Sequence, residues 1–422
     1  MNKIERFVYD IVKSNPKLKK QIRNIYQAGF DFLPRKKQFS VNPISLKEGF
    51  FFGFHELQPF SQDNSMVLVV KYNYQDIRMP TVKDYALVGY LKFDGVQLGE
   101  FVELGKTNAW NFHKGCRLQW VDRNRIIFNC THNDKLVSKV VDIYTKEEEV
   151  LPFPIDTVSA CGKFATSFSY ERLEKHMPGY GYCHKDDYSF MNEKASQKTG
   201  LFILNLESKE VKLLVDLKTL AEKTKAFESS TDWDHYVTHT EFSHDSEFIS
   251  FFHRWSGEYK GKRFTEFMIY NLKTNHFYRL PTTNLMTSHY DWNNKREIIA
   301  YCNYKNQDAH VLFKIDDLES SHYVAYPQIN SDGHQSFIND HSFVTDTYPD
   351  KWRMAKLYVV DVLTNSKRLI ASVHSPKKFQ SSPEKGHVAC DLHPIVSADG
   401  KFVCFDTVQT GKRALAVMKI KE

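Results

Sequence analysis

Residues 391–406 read DLHPIVSADGKFVCFD. A polar head (Asp391, His393, Pro394) runs into a Ser-Ala-Asp-Gly turn and then into an apolar run, Phe402-Val403-Cys404-Phe405. A tight turn rich in Asp and Gly, followed by aromatic and β-branched residues, predicts two short antiparallel strands. The same order recurs at residues 334–346, HQSFINDHSFVTD, and at residues 239–251, HTEFSHDSEFISF. In all three a histidine stands six residues before the turn aspartate (Asp245, Asp340 and Asp399). His289, in SHYDWNNKREIIAY, occupies the same place before a turn that lacks the aspartate. Four histidines at one register of a repeat are the main functional clue in the chain.

Three further units follow the same plan without the histidine: LQPFSQDNSMVLVVKY from Leu57, QWVDRNRIIFNC from Gln119 and IDTVSACGKFATSFS from Ile155. Most units are followed by a second strand and by a third bounded by turns, as in LFILNL from Leu201 or KLYVVD from Lys356. Seven units at irregular intervals bracket the ~40–50 residues of a four-stranded propeller blade, with insertions as the long cases. The expected fold is all-β, a seven-bladed β-propeller over residues 41–422 with a short helical extension over residues 1–40. Residues 50–54, or the strand just before them, pair with the C-terminal strand to close the ring. The alternative is an array of β-sandwiches; no strand–helix alternation supports an α/β fold. The largest insertion, residues 171–199, reads as a long loop over one face.

The 422 residues are 41% hydrophobic and 14% aromatic, with 32 Phe and 22 Tyr, enough for a sizeable core with a strand bias. Net charge is only +6, and residues 1–40 carry ten Lys/Arg against three Asp/Glu, so the basicity belongs to the tail. Ile4, Phe7, Val8 and Ile11, then Leu18, Ile22, Ile25 and Tyr26 after Pro16, fall at helical spacing. Two short amphipathic helices are expected there, with Lys17, Lys19, Lys20 and Arg23 on the polar side. They either pack on the main domain or contact an anionic membrane surface. Seven cysteines without paired spacing argue against a disulfide framework. With no signal-like apolar run, a cytoplasmic location is expected, peripheral at the inner membrane face if the tail binds there. No Gly-rich phosphate loop, GxSxG elbow or HExxH is present, and no nucleic-acid fold surrounds the basic tail.

In a propeller the leading residues of the inner strands gather at one mouth of the central channel. That brings His239, His289, His334 and His393 towards one axis, with Asp391 two residues from His393. Imidazoles with a carboxylate suit Mn²⁺, Zn²⁺ or Fe²⁺. Singly, each histidine equally fits a role in locking the ring by hydrogen bonds to backbone. Arg254, after His253, and Arg263 are the candidates for a substrate carboxylate, since the guanidinium fork matches carboxylate geometry. MPGYGY, residues 177–182, offers aromatic faces, and TDTYPDKWR, residues 345–353, a polar rim.

These stretches together resemble the oligogalacturonate-lyase-like family of seven-bladed propellers. The likeness rests on FFGFHELQPFSQD (residues 51–63), AWNFHKGCRLQW (109–120), PGYGY (178–182), FSHDSEFISFFHRW (242–255) and SHYDW (288–292). GHQSF with TDTYPD (333–350) and CDLHP with DGKFVCFD (390–406) complete it. The resemblance implies a metal, typically manganese, held by histidines and a glutamine, and a histidine base that cleaves acidic oligosaccharides by β-elimination. On this chain it implies His334 and His393 as metal ligands and His289 as the base, assisted by Arg254 or Arg263. Asp391 stands where the lyases place a further histidine, and Val388 roughly where they place the glutamine. The ligand set accordingly shifts towards His334, His393, Asp391 and His239. The functional expectation is a metal-dependent lyase-like enzyme acting on uronic-acid-containing oligosaccharides. Its alternative is a non-catalytic glycan-binding or assembly propeller in capsule or exopolysaccharide production.

Overall fold

The strand runs of the sequence resolve, in a computed structural model, into seven antiparallel sheets arranged as the blades of one propeller. The structure describes residues 16–34, 36–74, 76–223, 233–256, 263–283 and 286–420. Counting outward from the channel, blade 1 runs from Phe50–Phe51 to Leu98–Thr107, blade 2 from Gln119–Trp120 to Glu148–Leu151, and blade 3 from Phe164–Ser167 to Val211–Asp216. Blade 4 runs from Asp234–Phe242 to His276–Arg279 and blade 5 from Thr287–Trp292 to His322–Val324. Blade 6 runs from Gln335–Asn339 to Ser366–His374, and blade 7 from Ile395–Val396 to Ala414–Lys419. Blade 3 has three strands, its innermost position reduced to the single bridge Val158–Ala165.

The ring closes with the strand just before Phe50. Ile44–Glu48 pairs antiparallel with Ala414–Lys419 and becomes the outermost strand of blade 7, whose other strands come from the C-terminus. Phe39–Ser40 adds a fifth, outermost strand to blade 6 by pairing with Ser372 and Ala371. Two blades thus combine an N-terminal strand with strands from much later in the chain, which ties the ring shut, and each blade keeps only a short outer edge.

Because each blade packs between two neighbours, its middle strands are covered on both faces and read as continuous apolar runs. Val67, Leu68, Val69 and Val70 are all buried, and so is every residue of Phe248–Trp255. At ~1.5–3 kcal/mol for each fully buried large apolar side chain, this inter-blade packing supplies most of the drive to fold.

Three α-helices occur among the described residues. α1 (Pro16–Phe30) follows Pro16 as the spacing predicts and packs on the propeller; the expected helix around residues 4–11 lies outside the described residues. α2 (Tyr170–His176) opens the insertion that the sequence suggests is a plain loop. Ser169 caps it, its hydroxyl accepting from the Arg172 amide. Buried Arg172 then donates to the carbonyls of Ser189, Phe190, Glu193, Lys194 and His235, pinning the insertion to blade 4. α3 (Leu217–Lys223) follows blade 3. No described helix is long and apolar enough to cross a membrane.

Candidate functional site at the upper mouth

Each histidine of the repeat lies in an inner strand (His239, His289) or just before one (His334, His393), and local backbone irregularity aims it into the channel. The register of blade 4 shifts between Thr238 and Glu241, and that of blade 5 between Thr287 and Tyr290, so His239 and His289 sit in β-bulges. His239 and His393 adopt left-handed backbone, φ +54° and +44°, an uncommon conformation for a side-chain-bearing residue and one often met at functional sites. Before His334, a Cβ on Gly333 would lie 2.1 Å from the Asp346 carbonyl oxygen, so only glycine allows that approach.

The histidines meet around a residue the repeat does not announce. Phe54 projects from the loop between Phe50–Phe51 and Phe60, with its ring 4.9 Å from His393, 5.1 Å from His239 and 5.8 Å from both His289 and His334. It brings His55, whose ring lies 5.1 Å from His334 and 5.4 Å from His289. The equivalent loop of blade 2 brings His113, 5.1 Å from His393 and 4.2 Å from His387. The two loops touch backbone to backbone: a Cβ on Gly53 would lie 2.9 Å from the Gly115 nitrogen. Asp406 fixes the first loop by accepting from the amides of Phe52 and Gly53. A signal was available in the sequence: Phe-His occurs at residues 54–55 and 112–113, each followed shortly by Leu-Gln.

One ligand atom each from His113, Asp391 and His393 lies within 4.8 Å of the other two. His113 Nε2 is 3.6 Å from an Asp391 oxygen. Burial, reinforced by the neighbouring imidazoles, holds His113, His334 and His393 well below the usual histidine pKa, so all three are neutral and able to coordinate. Burial raises Asp391 to about 6. His334, 4.3 Å from His393 ring to ring, gives its Nδ1 to Asp346 at 3.0 Å and leaves Nε2 buried without a partner. That carboxylate–histidine pairing is the outer-shell arrangement that orients metal-ligating imidazoles. Mn²⁺, Zn²⁺ or Fe²⁺ fits this donor set of imidazole nitrogens and one carboxylate. His239 is apart from the converging atoms; its Nδ1 bonds Thr238 Oγ1 and its ring packs on Phe252.

His289 lies 3.9 Å from His334 ring to ring, with Nδ1 held by Ser288 Oγ at 2.9 Å and Asp332 at 3.3 Å. Ser288 in turn donates to Asp332. Nδ1 is therefore the protonated nitrogen, and Nε2 carries the lone pair. Arg254 is fully buried, bonded to Thr265 Oγ1, Met177 Sδ and the Thr287 carbonyl, with no carboxylate partner among the described residues. Burial and the charge of exposed Arg263 bring it down to about 9. The two arginines between which the sequence left the choice open are thus electrostatic neighbours. Tyr180 roofs the cluster 4.4 Å from His113. It is held there because the Gly179 and Gly181 amides donate to Glu174 of α2 and Asn111 donates to the Gly181 carbonyl.

Below this layer Lys114 and Arg117 sit between Glu56 and Asp156, all four inside the channel, with nitrogen–oxygen distances of 2.9 to 3.3 Å. Beyond them the channel opens at the opposite end of the inner strands into a funnel of about 1040 Å³, with Glu241 and Asp291 in its wall.

Fold and site together define a seven-bladed propeller with a histidine-lined upper mouth. No protein-family model matches the chain, and no curated protein matches it. Among solved structures it is similar to oligogalacturonate lyase from Vibrio parahaemolyticus, with a TM-score of 0.58 and 12% identity over 90% of this chain and 99% of that one. It is similar also to an oligogalacturonate lyase in complex with manganese (TM-score 0.57, 12% identity, 92% and 99% covered). The tricorn protease shares the architecture more distantly (TM-score 0.50, 12% identity), over 92% of this chain and 34% of that protein. At such identity the fold is what is shared, and it is the fold of the oligogalacturonate lyases.

Proposed function

We propose that the protein is a metal-dependent lyase that cleaves uronic-acid-containing oligosaccharides by β-elimination. The observation that carries the reading is the convergence of His113, Asp391 and His393 beside His334, whose Nε2 is unpartnered, near Arg254, which has no carboxylate partner among the described residues. His113, Asp391, His393 and His334 would hold the divalent cation, manganese by analogy with the similar lyase complex, which when bound would supply neutralisation of the substrate carboxylate's charge. Arg254, with Arg263 beside it, binds the same carboxylate and makes the neighbouring C–H more acidic. His289, oriented by Asp332 and Ser288, takes that proton on Nε2. A carbon–carbon double bond forms as the bond to the 4-linked oxygen breaks, the departing oxygen takes a proton from water, and the hydroxide so formed recovers the proton held by His289.

The test is purified protein supplied with Mn²⁺ and 4-linked uronate oligosaccharides, followed by the ultraviolet absorbance of the unsaturated product. Growth of that band, lost in His289→Ala, is the expected result. Binding without any elimination would leave the non-catalytic glycan-binding propeller as the correct description.

A further inference from the structure

α1 rests on the side of the mouth opposite in sequence to the arginines of blade 4. Buried Gln27 donates to the carbonyls of Pro349 and Asp350 at 3.1 and 3.0 Å. Those carbonyls directly follow Tyr348, whose ring lies 6.0 Å from that of His334. Asp31, just past the helix, pairs with Arg353 and Lys377, and Phe30 packs edge-on against Trp352 at 4.9 Å. Asn24 bonds Gln380, in the segment that leads to His387 and Asp391. Arg23 is four residues before Gln27 and therefore on the same side of α1, one turn nearer that segment. It is exposed and forms no ion pair with a described residue, next to Asn24, whose bond to Gln380 ties this turn of α1 to that segment.

The mouth therefore has two separated positive positions, one on blade 4 and one carried by α1 over blades 6 and 7. A single uronate has one carboxylate and satisfies only one of them. We propose that Arg23 binds a second carboxylate, one sugar along from the unit held at Arg254, so that the site selects chains of consecutive acidic sugars over a lone one. This rests on the uronate reading above. It makes the basic N-terminal helix a specificity arm of the propeller.

Calorimetric titration of the full chain, loaded with Mn²⁺ and carrying His289→Ala to stop turnover, tests it with galacturonate and 4-linked digalacturonate. The dimer is expected to bind roughly tenfold tighter than the monomer, and Arg23→Gln to bring that ratio down to about twofold, with Arg23→Lys intermediate. Because Arg23 is exposed, the melting temperature of Arg23→Gln should match its parent, which separates lost recognition from lost structure. An unchanged ratio in Arg23→Gln, or equal weakening of both sugars, overturns the role of Arg23 while leaving the uronate reading standing. If neither sugar binds the parent, both fall.

Discussion

The two mouths of the channel are opposite ends of the same inner strands, and they treat their polar groups differently. At the lower mouth the turn residues satisfy themselves: Ser61 bonds Asp63, Ser243 bonds Asp245 and Ser397 bonds Asp399, at 2.6 to 2.7 Å. These are ordinary side-chain caps of tight turns. The upper mouth gathers neutral imidazoles, among them His334 with an orphaned Nε2 and His113 with an orphaned Nδ1. Buried polar atoms without partners are rare and costly unless something else satisfies them. The upper orphans are imidazole nitrogens beside a carboxylate, a coordinating set, whereas the orphan in the lower funnel wall, Glu241 Oε2, is a carboxyl oxygen. The kind of unmet partner is what points to chemistry at the upper end.

The comparison breaks most visibly if metal binds elsewhere. His393→Ala removes a converging imidazole while leaving the lower mouth intact. Elemental analysis of the purified variant should show near-complete loss of a metal that is about stoichiometric in the parent, and elimination should fall by more than ~100-fold. Glu241→Gln, in the lower funnel, should keep its metal. A metal lost from the second variant and kept by the first would reverse the assignment of the two ends.

A finer probe leaves every ligand in place. Asp346→Asn keeps an acceptor for His334 Nδ1 but replaces the carboxyl, which burial holds well above its usual pKa, with an amide that cannot ionise when a cation binds beside it. Metal affinity measured by competition with a chelator should weaken ~10–100-fold with the fold unchanged. An effect below twofold would mean that His334 lies outside the coordination sphere.

The upper mouth was only partly legible in the sequence, for a geometric reason. His239, His289, His334 and His393 occupy one register of a repeat, and a repeat turns equivalent positions into spatial neighbours. Ring closure by a strand just before Phe50 was readable for the same reason. Phe54, His55 and His113 come from excursions at the heads of blades 1 and 2, and His387 from an irregular segment before Asp391. Their meeting depends on loop lengths and on contacts such as Gly53 against Gly115, which no local pattern specifies. Asp346 reads in sequence as a rim residue, and only its 3.0 Å contact with His334 reveals a supporting role. α2 escaped notice because its one full face, Tyr170 and Leu173, is too short to establish a period.

A last probe separates the mouths by the sign of their response to pH. At the upper mouth burial keeps histidines neutral, so the unfolded chain binds more protons below about pH 6.5 and stability drops on acidification through that range. At the lower mouth burial raises Asp291 to about 6 and also raises Glu241, which faces it. His244 acts in the opposite sense on Asp291, which also accepts from the Phe337 amide. Here the native state holds its proton more tightly than the unfolded chain. The contribution of Asp291 is therefore present at low pH and is lost as pH rises from about 4 through about 6. Asn at this position still accepts from Phe337 but cannot ionise, so it removes that loss. Urea unfolding at pH 4 and pH 8 should show the stability of Asp291→Asn, relative to its parent, improving by about 2 kcal/mol between the two. The metal content should not move. An improvement towards low pH instead would mean that the lower carboxyl pair is ionised and paired with a cation, and that the two ends of the channel are more alike than their hydrogen bonds indicate.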